Sequence, residues 1–155
     1  VVTVSDSAAA GSRKDLSGPA VAKALQKAGF DVREREIVAD EQSTISSVLR
    51  RLAGKVDLVV TAGGTGIAAR DVTPEATRAV CERLVEGMAE RMRSQGAKKT
   101  PFAALGRGVC GVAGRSLIVN LPGSPAAAVE SLMAIIGLLP HALELLRGNT
   151  RHDAF

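Results

Sequence analysis

The sequence predicts an α/β fold with a mostly parallel, mixed sheet, on three observations. Short apolar runs, each followed by a small-residue loop and then a helical pattern, recur along the 155 residues, which is the alternation of βαβ units. The run Leu58-Val59-Val60 leads into the glycine-rich Thr61-Ala62-Gly63-Gly64-Thr65-Gly66 and then Thr73-Pro74-Glu75, a strand, a loop and a helix start with threonine as N-cap and proline at N1. Val109 and Val112, followed by Leu117-Ile118-Val119, read as a hairpin around Ala113-Gly114, so at least one antiparallel strand joins the sheet.

Taken in order, Val1 to Val4 is the first strand, and Ser5-Asp6-Ser7 with Ala8 to Gly11 is a small-residue loop at its carboxyl end. Ser17-Gly18-Pro19 starts a helix carrying Val21, Ala22, Leu25 and Ala28, which Gly29 ends at C′. Val32 to Val38 is the second strand. Ile45, Val48, Leu49 and Leu52 then share one helical face. After the glycine loop, Ala76, Val80, Leu84, Met88 and Met92 predict one long helical stretch with a break near Gly87. Gly96 to Lys99 is a turn, and Thr100-Pro101 opens a short helix through Leu105. Leu117 to Leu121 is a strand running into Pro122-Gly123-Ser124-Pro125, where Ser124 fits an N-cap with Pro125 at N1. The helix from Ala126 to Leu139 breaks at Pro140 and resumes to Leu146. The expected organisation is a single domain over 1–148 with a frayed tail, 149–155.

Composition excludes several function classes. Tryptophan and tyrosine are absent and phenylalanine occurs only at Phe30, Phe102 and Phe155, so the core is aliphatic and base stacking has few partners. The net charge of +4 is spread among acidic residues, as in Arg33-Glu34-Arg35-Glu36, without the stripe that marks a nucleic-acid binder. No uninterrupted apolar run reaches the roughly 18 residues of a membrane span. Cys81 and Cys110 lack metal-ligand spacing and read as buried, reduced thiols; cytoplasm is the expected compartment.

The usual catalytic constellations are also poorly represented. There is no Walker A sequence. His141 and His152 lie in a helix and in the tail. Gly106-Arg107-Gly108-Val109-Cys110-Gly111 satisfies G-x-G-x-x-G literally, but a helix precedes it and a hairpin follows, the wrong context for dinucleotide binding. What remains is loop N–H donors, the hydroxyls of Ser5, Thr65 and Ser124, and the carboxylates of Asp6, Asp40 and Asp71. Gathered on one rim of a parallel sheet, these suit phosphate with Mg²⁺. Asp40 has two readings at this level, an N-cap or a carboxylate in the same crevice as Asp71. Asn120 could lend its amide to the second loop.

At these residues the chain resembles the molybdenum-cofactor biosynthesis proteins that adenylylate molybdopterin, the MogA/MoaB-like group. The resemblance spans nearly the whole chain. It rests on Val4-Ser5-Asp6, Asp15 with Ser17-Gly18, Ile37-Val38 with Asp40-Glu41, Gly63 to Gly66 with Arg70 to Ala76, and Asn120 to Pro125. It implies a three-layer α/β/α fold, a trimer or hexamer, and Mg²⁺-dependent transfer of AMP from ATP to the molybdopterin phosphate with release of pyrophosphate, the product passing to a downstream molybdenum insertase. It implies Asp40 and Asp71 as the acidic, metal-holding catalytic pair. The residues binding nucleotide or molybdopterin would be Ser5, Asp6, Gly63, Gly64, Thr65, Gly66, Glu75, Asn120, Pro122, Gly123 and Ser124. The chain departs from the pattern at Gly96 and Gly106, where relatives often carry serines associated with the molybdopterin pocket, and at Ala39, Ala62 and Ala126. Those departures keep a second expectation open, a non-catalytic molybdopterin-binding or assembly subunit of the same fold.

Overall fold

The computed structural model describes residues 1–150. Its strands are β1 (Val2–Val4), β2 (Glu36–Val38), β3 (Leu58–Ala62), β4 (Arg83–Leu84), β5 (Cys110–Ala113) and β6 (Ser116–Leu121). They form one sheet in the order β2-β1-β3-β6-β5-β4. The first four in that order are parallel, and β5 runs antiparallel to both neighbours. The helices are α1 (Asp6–Ala9), α2 (Ser17–Lys27), α3 (Gln42–Ala53), α4 (Thr73–Val80), α5 (Glu86–Ala97), α6 (Pro125–Ile135) and α7 (Leu139–Leu146), with 3₁₀ turns at Pro101–Leu105 and Ile136–Leu138.

Two aliphatic cores, one on each face of the sheet, make the expected three layers. On one face Val60, Leu117, Val119 and Leu121 pack with Val21 and Leu25 of α2 and Leu132 and Ile135 of α6. On the other, Val59 and Ile118 pack with Ile45, Leu49 and Leu52 of α3 and Ala76 of α4. Strand β6 is buried along its whole length, which is why Leu117-Ile118-Val119 reads as a continuous apolar run rather than an alternating one. Each such side chain, fully buried, contributes about 1.5–3 kcal/mol.

The structure corrects several expected boundaries. The second strand is shorter, Glu36–Val38; the residues Val32 to Arg35 carry no strand pairing. The stretch from Ala76 to Met92 is two helices separated by β4, whose Arg83 and Leu84 pair with Val112 and Gly111. An apolar repeat that continued across both helices hid the strand, because Leu84 falls in helical phase by sequence alone. The loop after β1 contains a helical turn, α1, capped by Ser5. Helix α5 runs through Gly96 to Ala97, so the expected turn begins later. The 3₁₀ turn starts at Pro101 under a Thr100 cap, and Ser124 caps α6 ahead of Pro125, both as expected. Pro140 stands in the first turn of α7, where a missing N–H has no helical partner to lose. His152 and Phe155 lie outside the described residues.

Among the described residues, Pro125–Leu146 is one helical run long and apolar enough by composition to cross a membrane. Glu130 and Glu144 interrupt it. One face of it, Ala128, Leu132, Ile135, Leu139 and Leu143, is buried in the core.

Candidate functional site

The parallel register brings four strand ends to one rim. Val4 pairs with Val38, Thr3 with Ala62, and Ala62 with Leu121. The segments that follow these strands are therefore neighbours: Ser5 and Asp6, Asp40, the loop Gly63 to Asp71, and Pro122 to Ser124. From β1 the chain leaves toward α2 on one face, whereas from the adjacent β3 it leaves toward α4 on the other. That divergence opens a crevice at the carboxyl ends of the strands, where ligands bind in open α/β sheets.

The glycines let the loops close on one another. Gly63 has φ +109°, its N–H donates to the Leu121 carbonyl, and a Cβ there would collide with the carbonyl oxygen of Val4. Gly64 has φ +64°, and a Cβ would strike the Thr73 hydroxyl and lie 3.0 Å from Oδ1 of Asp40. The expected N-cap role of Thr73 is overturned here. Val72 is the N-cap of α4, and the Thr73 hydroxyl, fully buried, donates to the Gly63 carbonyl at 2.9 Å, tying the helix start back to the loop. The first turn of α4 thus holds the loop's shape.

Asp40 does not cap α3; Glu41 is the N-cap residue, and its carboxylate accepts from the Ser43 hydroxyl at 2.9 Å rather than from a helix N–H. The Asp40 carboxylate instead accepts from the Asp6 N–H at 2.8 Å, and Asp6 returns the arrangement by accepting from the Asp40 N–H at 2.9 Å. Arg70 reaches across the crevice to Asp6 with two guanidinium donors, at 2.7 and 2.8 Å. This hydrogen bonding holds the Asp6 carboxyl below its ordinary pKa. Burial pushes Asp40 the other way, and the fields of Asp6 and Asp71 add to the rise. Asp71 accepts from the Ala68 N–H through Oδ2 at 2.9 Å. Both Asp40 and Asp71 keep one carboxylate oxygen without a hydrogen-bond partner among the described residues.

This donor set fits Mg²⁺. The oxygens are hard, one carboxylate is destabilised by two others, and Mg²⁺ is commonly held by one or two carboxylates together with substrate phosphates. Among the described residues no group of three or more acidic, histidine or cysteine side chains gathers as a metal cage.

A cavity of about 860 Å³ opens beside the glycine loop. Thr65, Gly66, Pro122 and Gly123 line it together with the exposed Phe102 and Met133. Gly96 and Gly106 also border it, and both are crowded by the 3₁₀ turn: a Cβ on Gly96 would lie 3.0 Å from that of Ala103, and one on Gly106 3.2 Å from the Ala103 carbonyl. Pro122 to Ser124 flanks the glycine loop: a Cβ on Gly123 would lie 3.4 Å from the Gly63 Cα. Ser5 and Ser124 use their hydroxyls as caps, accepting from Ala8 and Ala127.

Asn120 also borders this cavity, next to Pro122 and Gly123. Its side chain is buried among the strands: the amide donates to the hydroxyls of Thr61 and Thr77, at 3.0 and 2.9 Å, and the carbonyl oxygen accepts from the Val109 N–H. Glu75 faces Arg107, its Oε1 accepting at 2.5 Å, which keeps its carboxyl below the ordinary range.

Sequence reasoning gave Arg107 no role. Its guanidinium also donates to the carbonyls of Gly66 and Asp71, each at 2.7 Å, and its own N–H to that of Thr65 at 2.8 Å. A second brace, also missed, links Thr3 and the Gly18 N–H to the two oxygens of Asp15, while Ser17 donates to the Gly123 carbonyl. The only sequence signal for Arg107 was its position between two glycines beside the hairpin. Cys110 and Cys81 sit in the cores on opposite faces of the sheet, free, and burial raises their thiol pKa values to about 12 and about 11.

The chain is similar to known proteins along nearly its whole length. Residues 1–141 match the family model described as a probable molybdopterin binding domain. The chain is 42% identical over 153 residues to the molybdopterin adenylyltransferase of Helicobacter pylori, covering 96% of this chain and 87% of that protein. It is 36% identical to the Escherichia coli molybdopterin adenylyltransferase, covering 96% and 84%. Among solved structures, the molybdopterin biosynthesis enzyme MoaB of Thermus thermophilus superposes with a TM-score of 0.90 at 52% identity, covering 95% of this chain and 94% of that one.

Proposed function

The chain belongs to the molybdopterin binding domain family, and from that premise we propose that it is a molybdopterin adenylyltransferase of molybdenum-cofactor biosynthesis, moving AMP from ATP to the terminal phosphate of molybdopterin and releasing pyrophosphate. The observation that carries the reading is the placing of Asp40 beside Gly64 and of Asp71 beside Gly66, on a glycine loop whose Thr65 and Gly66 line the large cavity. Relatives of similar length named for this activity support it.

The chemistry asks little of a general base. A phosphate monoester has a second pKa near 6 and is largely dianionic at neutral pH, so the acceptor is already a nucleophile. Repulsion between anions is the obstacle. Asp40 and Asp71 would hold Mg²⁺, which when bound supplies positive charge to the phosphates. The Gly63 N–H is spent on the Leu121 carbonyl; the backbone of Gly64 to Gly66, where two of three residues lack a side chain, would lie close to the phosphates, its preorganised N–H donors stabilising developing charge without reorganising. Ser5, Asp6, Thr65 and the Pro122 to Ser124 loop border the same crevice and orient the substrates. Glu75 contributes through Arg107.

The reading carries assembly and location with it: a homo-oligomer, trimer or hexamer, in the cytoplasm, passing its product to a molybdenum insertase. The exposed Met133, Leu138 and Leu145 on α6 to α7 support a self-association surface, and the two free thiols fit a reducing compartment. Light scattering on the purified chain measures the first.

The deciding experiment is pyrophosphate release from ATP and Mg²⁺ with and without molybdopterin, in wild type and Asp71→Asn. Release that requires molybdopterin and falls at least about 100-fold in the variant, the scale of losing a main electrostatic contributor, is expected. Molybdopterin binding without any pyrophosphate release would instead identify a non-catalytic binder.

A further inference from the structure

The geometry assigns Arg107 the part of a positioning residue that clamps the Gly66–Asp71 turn and so sets where the Asp71 carboxylate stands. The assignment rests on the transferase reading for its consequence, but not for its geometry. Gly66 and Asp71 are the two ends of a tight turn. Inside it the Asp71 N–H donates to the Ala68 carbonyl at 2.9 Å, and the Ala68 N–H donates back to Oδ2 of Asp71 at 2.9 Å. Those two bonds relate the carboxylate to the turn. They do not relate the turn to the sheet.

Arg107 does that. It follows the 3₁₀ turn and leads into β5, and its Nε and Nη2 donate to the carbonyls at the two ends of the turn, 2.7 Å each. Its N–H fixes Thr65 just upstream, and Nη1 anchors the fork on Glu75 in the first turn of α4. Four bonds from one residue join the loop, α4 and the β5 lead-in. Within the turn Ile67 is 70% exposed, and Ala68, Ala69 and Arg70 are exposed too, so apolar packing contributes little to holding it. A Cβ at Gly66 would lie 2.8 Å from Asp71 Oδ2, so the carboxylate sits close over the Gly66 end of the turn, in space that only glycine leaves open.

A planar guanidinium can serve two carbonyls and a carboxylate together; an ammonium of the same charge is a point donor and cannot span them. Arg107→Lys therefore separates charge from geometry. Amide hydrogen exchange of Ala68 and Asp71, the melting temperature, and the kinetics of pyrophosphate release with the Mg²⁺ concentration at half-maximal rate are measured on the full chain. The clamp predicts exchange at both amides at least about 10-fold faster with the melting temperature within a few degrees of wild type. It predicts kcat lower by about 10- to 100-fold, the scale of misplacing a reacting group by about 1 Å, a higher half-maximal Mg²⁺, and a KM for molybdopterin within about twofold. Unchanged exchange overturns the clamp, as does faster exchange with unchanged kcat and Mg²⁺ dependence. Should wild type release no pyrophosphate while exchange accelerates in Arg107→Lys, the clamp stands and the transferase reading falls.

Discussion

Asn120→Ala separates a structural amide from a ligand-binding one. Asn120 is 1% exposed and makes three hydrogen bonds that tie β6 to β3, to α4 and to the residue before β5. Truncation leaves the buried Val109 N–H without its side-chain acceptor, which costs about 1–3 kcal/mol, and removes two amide–hydroxyl bonds worth about 0.5–1.5 kcal/mol each. Thr61 and Thr77 are fully buried, so water cannot easily replace the amide. The expected destabilisation is about 2–6 kcal/mol, a large share of the roughly 5–15 kcal/mol that holds a domain together, and about 6–18 °C in melting temperature for this size. With no tryptophan or tyrosine in the chain, urea unfolding is followed by far-ultraviolet circular dichroism rather than intrinsic fluorescence. A cycle with Thr77→Val should return a coupling of about 0.5–3 kcal/mol, since the two side chains touch. The reasoning is refuted if Asn120→Ala stays within about 0.5 kcal/mol of wild type while the KM for ATP or molybdopterin rises severalfold, because the amide would then serve the ligand.

Two further outcomes follow from the electrostatics. The Glu75 carboxyl is held below its ordinary 4.5 chiefly by the hydrogen bond from Arg107; a depressed folded pKa means the stabilisation is present above the unfolded value and is lost as pH falls through the folded one. Acid titration of stability should therefore be steeper below pH about 4.5 in wild type than in Glu75→Gln, and parallel curves would show that the pair is not linked to folding. The thiols of Cys81 and Cys110, raised by burial to about 11 and about 12, should react with iodoacetamide at pH 7.5 far more slowly than a free thiol and approach its rate only in denaturant; fast labelling of folded protein would contradict their placement.

How much was legible depended on whether the information was local. The hairpin at Ala113-Gly114, the Ser124-Pro125 helix start and the buried central strands could be read because turn chemistry, capping and continuous apolar runs are written within a few residues. Strand β4 was not, because two residues pair only with β5, and Leu84 happens to keep the helical phase of its neighbours. Thr73 shows the same limit: its type and its place before Pro74-Glu75 fit an N-cap, yet its hydroxyl went to the Gly63 carbonyl ten residues upstream.

The sequence by itself determined the α/β class, the aliphatic core, the glycine loop and the acidic residues available to a phosphate site, because periodicity, composition and side-chain chemistry do not depend on partners. Only the tertiary structure decided which polar groups face the crevice and which brace it. Parallel register brought Asp40 into the fields of Asp6 and Asp71, turned the Asn120 side chain inward, and set Arg107 across the Gly66–Asp71 turn. Those assignments rest on hydrogen bonds between residues 10 to 64 positions apart, and a buried polar group finds its partner only when the fold has excluded water from around it.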